Sequence, residues 1–312
     1  MRVAFAEEIE SLALEDPSVV LLSGDIGNRM FDSFQEKFPD RFYNCGIAEA
    51  SMMSLSAGLA INGFRPFVYT ITPFTTLRCL EQIKIDVCYH EAPVTIVGTG
   101  SGLSYAQLGP THHSLDDISL MRSMPHMVVF CPCDAAEVRY GMRQSLKQSN
   151  PVYIRLGKKG EPVIHNVGIE KFDFGKMLPI KSGTDVCILS VGNVMPVSME
   201  AVNIVEKAGF SCRLDSFCSV KPLDINALRC IFRDYKTVCV VEEHSSIGGA
   251  KSAILELISE TGPQGIRKLV SCSLEDKFYH EVGTQNELRE TAGLTGETVA
   301  QKIISHVSSA CP

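Results

Sequence analysis

The feature of this sequence that most constrains its fold is an alternation between short β-branched runs and longer amphipathic runs. In the first half, β-strands are predicted at residues 19–25, 66–71, 93–99, 127–132 and 151–156. Such an alternation is typical of a mainly parallel sheet with helices on both faces. Between these strands, residues 49–61 predict a helix rich in small side chains, and residues 134–148 predict an amphipathic helix capped by Asp134.

A second alternation follows a polar stretch that runs from about Gly157 to Gly183 and contains several Gly, Pro and Lys residues. Beyond it, strands are predicted at 185–192, 212–217, 237–243 and 266–273, and helices near 196–208, 224–234 and 249–261. The predicted fold class is α/β with two domains, each a mainly parallel sheet with helices on both faces. The predicted bounds are 1–165 for the first domain, 166–179 for a linker and 180–312 for the second domain.

The composition of the chain limits the classes of molecule that it is expected to bind. The chain has 312 residues, of which 45% are hydrophobic, and this is enough apolar material for two globular domains. Its formal net charge of -7 argues against binding to nucleic acid or to an anionic membrane, so a small molecule or a protein is the expected partner. The N-terminus is acidic where a signal peptide is basic, and no run approaches ~20 apolar residues, so a cytoplasmic location is expected.

The twelve cysteines are scattered through predicted helices and strands, and a chain of this length does not depend on disulfides for stability. We interpret most of them as small buried apolar residues. Cys131 and Cys133 form a C-x-C pair without a second Cys or His pair at metal-ligand spacing nearby. The pattern therefore does not favour a structural zinc site, and no metal site is predicted on this chain.

Glu49 is an acidic residue at the start of the small, apolar helix predicted at 49–61. Taken alone, it fits an ordinary structural role, because acidic side chains in a first helical turn complement the helix dipole. Its neighbours change this interpretation. Gly46-Ile47-Ala48-Glu49 resembles the G-[IV]-[AR]-E motif of the pyrimidine-binding domains of transketolases and deoxyxylulose-phosphate synthases.

The similarity continues along the chain in the order of that family and near its spacing. It covers about residues 1–160 and resumes in the second half, where the chain resembles the family's C-terminal domain. The matching segments are Ala57-Gly58-Leu59-Ala60, Gly63, Pro66, Phe74, Gln82-Ile83, Gly109-Pro110-Thr111-His112, Cys131-Pro132-Cys133-Asp134, Val240-Val241-Glu242-Glu243-His244 and Gly248-Gly249.

The resemblance implies thiamine diphosphate as cofactor. It implies that Glu49 hydrogen-bonds a nitrogen of the aminopyrimidine ring and promotes the imino tautomer, which removes the thiazolium proton to give a nucleophilic ylid that attacks a ketose carbonyl. Phe74 is expected to lay its ring against the pyrimidine, and Ile47 is assigned to the same cofactor site. The implied reaction is transfer of a two-carbon ketol unit to an aldehyde.

The resemblance also suggests substrate contacts. His112 follows a Gly-Pro turn and is expected to act as a proton shuttle or oxyanion donor. His113, Lys158 and Arg29 are weaker candidates for substrate contacts. The second domain is predicted to be structural, with the segment 240–244 as a buried strand that ends in a polar loop.

Three departures from the family pattern concern the substrate. Gly100 stands where transketolases acting on sugar phosphates have a histidine, and Leu108 stands where they have an acidic residue. Lys158 or Lys159 replaces the arginine that grips the substrate phosphate, and a lysine binds phosphate only as a point charge. These departures favour an unusual or modified sugar over the common pentose phosphates.

The Gly-Asp-Gly and downstream Asn that hold magnesium and diphosphate in this family are absent, and Ser23-Gly24-Asp25-Ile26-Gly27 is only a superficial echo of them. The resemblance therefore implies a separate N-terminal subunit that supplies Mg²⁺ and diphosphate binding. We expect an active site between chains, homodimerisation within a heterotetramer, and feeble cofactor binding by this chain alone.

Two other interpretations remain open from the sequence. One is the beta-type component of an oxo-acid dehydrogenase, although Gly109–His112 followed by His113-Ser114-Leu115 fits transketolase better. The other is a non-catalytic paralogue that binds the large subunit, against which Glu49, Phe74 and His112 argue.

Overall fold

The computed structural model describes residues 1–27, 29–165, 169 and 173–308. The strands of this part are β1 (Val19–Ser23), β2 (Phe42–Asn44), β3 (Arg65–Ile71), β4 (Thr95–Thr99), β5 (Val128–Phe130), β6 (Val152–Leu156), β7 (Leu178–Lys181), β8 (Val186–Val191), β9 (Cys212–Ser216), β10 (Ser219–Lys221), β11 (Thr237–Ser245) and β12 (Lys268–Leu274). They form a seven-stranded and a five-stranded sheet, and this confirms the predicted two-domain α/β class.

Helices cover both sheets. They are α1 (Arg2–Glu15), α2 (Asp32–Lys37), α3 (Glu49–Ile61), α4 (Thr72–Thr75), α5 (Leu80–Gln82), α6 (Asp117–Ser123), α7 (Ala135–Ser145), α8 (Met195–Lys207), α9 (Ile225–Asp234), α10 (Ala250–Thr261), α11 (Gln285–Thr291) and α12 (Gly296–Ser308). The predicted helix at 49–61 is confirmed with the same bounds. The predicted cap is confirmed too, because the Asp134 carboxylate accepts a hydrogen bond from the backbone N–H of Glu137.

The first sheet has the strand order β10-β5-β6-β4-β3-β1-β2. Its pairs are parallel except β5 with β10. Each strand predicted in the first half is present. The three-residue strand β2 was not predicted, because so short a segment with half-exposed side chains carries little alternation.

The second sheet has the order β12-β11-β8-β9-β7, and only β7 among these described strands runs antiparallel to its neighbour. The four strands predicted in this half are confirmed. Strand β7 begins at Leu178, inside the range predicted as linker. Within that range, residues 166–168 and 170–172 lie outside the described residues, as does the predicted domain end at 309–312.

Strand β10 links the two halves of the chain. It comes from the range predicted for the second domain, yet it pairs antiparallel with β5 at the edge of the first sheet. One hydrophobic cluster also spans both sheets, since it contains Ile96 and Tyr153 together with Leu189 and Val240. The two sheets are therefore packed into one continuous interior.

The cysteines behave as the sequence predicts. The eleven in the described part of the chain are free thiols, and nine of these are buried. Among the described residues, no helix has both the length and the apolar character needed to cross a membrane.

Candidate active site

The predicted site residues follow strands of the first sheet that run parallel to one another. Glu49 comes after β2, Phe74 after β3, His112 after β4 and Lys158 after β6. Because parallel strands end at the same edge of a sheet, these loops gather at one edge, which is where α/β proteins place their ligands.

Glu49 begins α3, and its side chain is only 5% exposed. The turn before the helix depends on Gly46, whose φ of 64° suits glycine, and Asn44 holds this turn by accepting a hydrogen bond from the Gly46 N–H at 2.9 Å. Ile47, the predicted cofactor contact, is 80% exposed at the tip of the turn. The turn thus buries a carboxylate and leaves an apolar side chain free beside it.

Arg78 joins Glu49 to Phe74. Its Nη1 donates a hydrogen bond to Oε2 of Glu49 at 2.8 Å, and its Cζ lies 4.0 Å from the centroid of the Phe74 ring. The Phe74 ring in turn meets the His112 ring edge to face, with centroids 5.2 Å apart. The structure therefore brings the three main predicted residues into one cluster.

The sequence prediction did not include Arg78. A signal was present, because residue 78 follows residue 74 at the i, i+4 spacing that places side chains on one face of a helix. The segment is not a regular helix, however. The short helix α4 is followed by a 3₁₀ turn at Leu77–Cys79, then by α5 and a π-helix at Ile83–Cys88.

The charges of Arg78 and Glu49 act on two neighbouring titratable groups. Burial and the neighbouring Arg78 charge lower the pKa of His112 below its ordinary value, so its imidazole is neutral at pH 7. Nearby, burial and the Glu49 charge raise the pKa of Cys79 to about 12, which keeps this thiol protonated and unreactive. His112 can therefore accept a proton, whereas Cys79 cannot act as a nucleophile.

The loop that carries His112 is held by hydrogen bonds within the loop and to Glu243 in the second half of the chain. Gly102 and Ser114 exchange backbone hydrogen bonds, and the N–H of Leu103 donates to Oε1 of Glu243 at 2.6 Å. The guanidinium of Arg289 pairs with the same buried Glu243. The segment 240–244 thus supports the loop structurally, and it does so from the second half of the chain.

His113 lies inside this loop rather than in the cluster. It is buried, and burial lowers the pKa of its imidazole. Arg29 is exposed in the loop after β1, where it lines a separate surface depression with Asp25 and Asn44. Neither residue is placed against Glu49 by a hydrogen bond or ion pair that the described structure shows.

Tyr105 accounts for the glycine at position 100. Gly100 has a φ of 73°, and a Cβ built on it would lie 1.9 Å from the Tyr105 ring. A histidine therefore does not fit here while Tyr105 keeps this position. Tyr105 also contacts two predicted substrate residues: its ring centroid is 6.1 Å from that of His112 and 4.3 Å from the Lys158 Nζ.

Leu108 and Lys158 define the surroundings of Tyr105. Leu108 is 51% exposed, so an apolar surface stands where the family has an acid. Lys158 lines a cleft of about 660 Å³ together with Ser104, Gln107, Asn193, Gln285 and Arg289. Burial, together with the charges of Lys159 and Arg2, lowers the pKa of Lys158. Lys158 and Lys159 thus place two amino groups side by side at one wall of the cleft.

We expect Gly100→Ala to destabilise the protein by about 2–5 kcal/mol, since the left-handed backbone costs about 1–2 kcal/mol and the collision with Tyr105 about 1–3 kcal/mol. Gly293→Ala is the matched control, because Gly293 has a φ of 66° but a Cβ there meets nothing within 4 Å. Urea unfolding of both variants measures the difference. Equal losses would contradict the assigned clash.

A second polar cluster lies beside α7. Cys133, Glu137 and His165 each offer a possible metal-ligand atom, and these atoms lie within 4.8 Å of one another. The Cys133 thiol and Nε2 of His165 both hydrogen-bond to Oε1 of Glu137, at 3.1 and 2.9 Å. Burial opposes the charged imidazole, but Glu137 raises the pKa of His165 overall. The cluster thus holds His165 against α7.

The two halves of the chain match two models of one enzyme class. The model "Transketolase, pyrimidine binding domain" matches residues 1–161, and "Transketolase, C-terminal domain" matches residues 175–299. This pair, on the fold described above, defines a protein of the thiamine-diphosphate-dependent class. The chain belongs to the transketolase family.

Relatives of similar length are named as transketolase subunits. The chain is 34% identical to a subunit of the apulose-4-phosphate transketolase of Phocaeicola vulgatus, over 98% of this chain and 97% of that protein. It is 31% identical to the SqwH subunit of the 6-deoxy-6-sulfo-D-fructose transketolase of a Clostridium species, over 96% and 92%. The prediction of a C-terminal subunit of a split transketolase is confirmed.

Solved structures agree with the assignment to a split transketolase. A "Split gene transketolase, inactive beta4 tetramer" matches with a TM-score of 0.89 and 33% identity, over 98% of both chains. A transketolase from Pichia stipitis shares the fold, with a TM-score of 0.80 at 18% identity, and this chain covers 46% of it.

Proposed function

We propose that this subunit, joined to an N-terminal subunit that holds Mg²⁺ and diphosphate, transfers a two-carbon ketol unit from a modified ketose to an aldehyde, with Glu49, Phe74 and His112 at the reacting centre. One observation carries the proposal: a buried carboxylate, an aromatic face and a neutral imidazole lie in one connected cluster. The family depends on thiamine diphosphate, and the donor set of the cluster fits its aminopyrimidine ring.

The fit can be argued from the residues present. A carboxyl group shielded from water can share a proton with a ring nitrogen, and this is the chemistry open to Glu49. Phe74 offers a flat apolar face at the same place. When bound, thiamine diphosphate supplies the nucleophilic carbon and the electron sink for cleavage of a ketose.

His112 is proposed to act on the substrate. It sits at the open end of the cluster, half-buried, with Thr111 Oγ1 2.9 Å from its Nδ1. The lowered pKa keeps the ring neutral at pH 7, so it can take the proton of the donor hydroxyl as the adjacent C–C bond breaks and the hydroxyl becomes a carbonyl. It can then give this proton to the aldehyde oxygen of the acceptor as the new C–C bond forms. Phe74 fixes the orientation of the ring through their edge contact.

The proposed substrate is a sugar with an anionic end group. The relatives named above act, by name, on a sugar phosphate and on a sulfo sugar, and a lysine can bind either group as a point charge. Lys158 is the proposed contact for this anion. Tyr105, whose ring lies against Lys158, and the exposed Leu108 make the surroundings of this lysine less polar than the histidine and acid expected for common pentose phosphates.

The surface next to Glu49 has the character of a subunit interface. Tyr43, Ile47 and Leu55 expose apolar side chains around the start of α3. Tyr43 and Leu55 line an open depression there. Exposed apolar side chains that cluster in this way are typical of protein interfaces. We propose that another subunit of a heterotetramer covers them and completes the active site.

Reconstitution tests the proposal. The chain alone is expected to bind thiamine diphosphate feebly, and its complex with the N-terminal subunit to bind it tightly with Mg²⁺ and to consume a ketose. Calorimetry and a ketol-transfer assay on an anionic modified ketose measure both. Tight magnesium-dependent binding by the chain alone would contradict the split site, and decarboxylation of 2-oxo acids in place of ketol transfer would contradict the proposed reaction.

A further inference from the structure

The guanidinium of Arg78 makes two contacts at once. Its edge donates to the Glu49 carboxylate at 2.8 Å, and its plane lies over the Phe74 ring at 4.0 Å. Both groups are those proposed above to hold the aminopyrimidine ring. A guanidinium and an aminopyrimidine ring protonated on a ring nitrogen are both planar and both present an N–H to a carboxylate, so they suit the same carboxylate and the same aromatic face.

The ion pair between Arg78 and Glu49 offsets the cost of burying a carboxylate when no cofactor is bound. Glu49 is 5% exposed, and a buried carboxylate without a partner is costly. Arg78 supplies the counter-charge, while its own side chain is 43% exposed and so has a way out toward solvent. One partner of the ion pair is thus fixed on α3 and the other is accessible.

The backbone that carries Arg78 is also unlike that of a rigid helix. Residues 72–88 pass through α4, a 3₁₀ turn, α5 and a π-helix within a single stretch. Such interruptions are typical of functional hinges. Arg78 lies in the 3₁₀ turn Leu77–Cys79, at the most tightly wound part of this stretch.

We propose that Arg78 is a placeholder: in the cofactor-free chain it occupies the position of the aminopyrimidine ring between Glu49 and Phe74, and it must leave for the cofactor to bind. This inference rests on the proposed function. Because a site that is occupied for part of the time binds more weakly, Arg78 lowers the apparent affinity for thiamine diphosphate. It is therefore a residue that sets the affinity for the cofactor.

The test measures binding of thiamine diphosphate by calorimetry, at fixed Mg²⁺, to the complex with the N-terminal subunit. Arg78→Met keeps an aliphatic stem over Phe74 but removes the charge. We expect it to bind the cofactor roughly 3- to 30-fold more tightly, from the usual strengths of a part-exposed ion pair and a cation–π contact. Unchanged or weaker binding would overturn the inference.

Arg41→Ala is the matched control. Arg41 also stacks on a phenylalanine, with its Cζ 4.2 Å from the Phe38 ring, but it pairs with the backbone carbonyl of Asp16 rather than with Glu49. Its loss is expected to leave cofactor affinity unchanged. Arg78→Lys keeps the charge without the planar fork, and tighter binding by this variant is the decisive result if Arg78→Met does not fold.

Two further variants separate this inference from the proposed function. Glu49→Gln and Phe74→Ala should weaken binding of thiamine diphosphate if these residues hold the aminopyrimidine. If neither weakens it, the proposed site is wrong. If both weaken it while Arg78→Met and Arg78→Lys do not strengthen it, only the placeholder role is wrong.

Unfolding of the chain alone tests the Arg78–Glu49 pairing without any cofactor. Arg78→Met should lower the urea midpoint in the native background, because Glu49 loses its partner, and should have little effect when Glu49 is already Gln. Equal effects in both backgrounds would overturn the pairing on which the inference depends.

Discussion

Glu49→Gln is expected to reduce ketol transfer by the reconstituted enzyme by about 100-fold or more, since a positioned proton-transfer group contributes about that factor. The substitution keeps the size of the side chain but removes the acid that would share a proton with the cofactor. Steady-state rates at saturating cofactor measure the loss. Saturation matters, because the same change is expected to weaken cofactor binding.

The control is Glu297→Gln. Glu297 is likewise an acidic residue in the first turn of a helix, but it is exposed on α12. Its replacement should leave the rate unchanged. A Glu49→Gln enzyme within about threefold of the native rate would remove Glu49 from the chemistry and would favour a non-catalytic role for this chain.

Asp117→Ala is expected to destabilise the protein by about 3–5 kcal/mol, because it leaves a buried guanidinium without its counter-charge. Asp117 and Arg155 are both almost completely buried and are joined at 2.7 Å. Tyr153 adds a hydrogen bond to the same carboxylate at 2.7 Å. Equilibrium urea unfolding measures the loss.

Asp234→Ala provides the comparison, because its ion pair with Arg233 lies on the surface and should matter little. Asp117→Asn separates charge from packing, since it keeps the shape of the side chain. If Asp117→Ala were as mild as Asp234→Ala, the buried pair would not be a major source of stability.

The Asp117 pair also predicts a pH dependence. Burial opposes its ionisation, but Arg155 and Tyr153 hold the pKa of Asp117 below its ordinary value. Its stabilisation is therefore fully present above the unfolded pKa of about 3.9, and it is lost as the pH falls through the lower folded pKa. The native chain should lose this part of its stability in acid, whereas Asp117→Ala should not.

Much of the fold could be predicted because it is determined by local sequence patterns. The main strands and the helices α3 and α7 have clear periodicity or a clear cap, and each of them is confirmed. The strands β2, β7 and β10 were not predicted, since each has three or four residues and is formed by pairing with a distant neighbour rather than by its own propensity.

The residues of the candidate site also fall into those that the sequence could predict and those that it could not. Glu49, Phe74 and His112 stand in recognisable motifs, and their joint position follows from the parallel order of the strands. Arg78 and Tyr105 had no motif to mark them, because their roles depend on side-chain packing between loops. The interior position of His113 and the support from Glu243 depend on contacts between distant parts of the chain, which a single sequence does not display.

Strand β10 has a consequence for synthesis of the chain. The first sheet is bordered by Ser219–Lys221, so it cannot be completed on the ribosome until that segment has emerged, well after β6. During this interval β5 presents an open edge, and open edges favour pairing with other chains. A gene fragment cut between the two family domains would make that transient state permanent and should yield aggregation-prone protein.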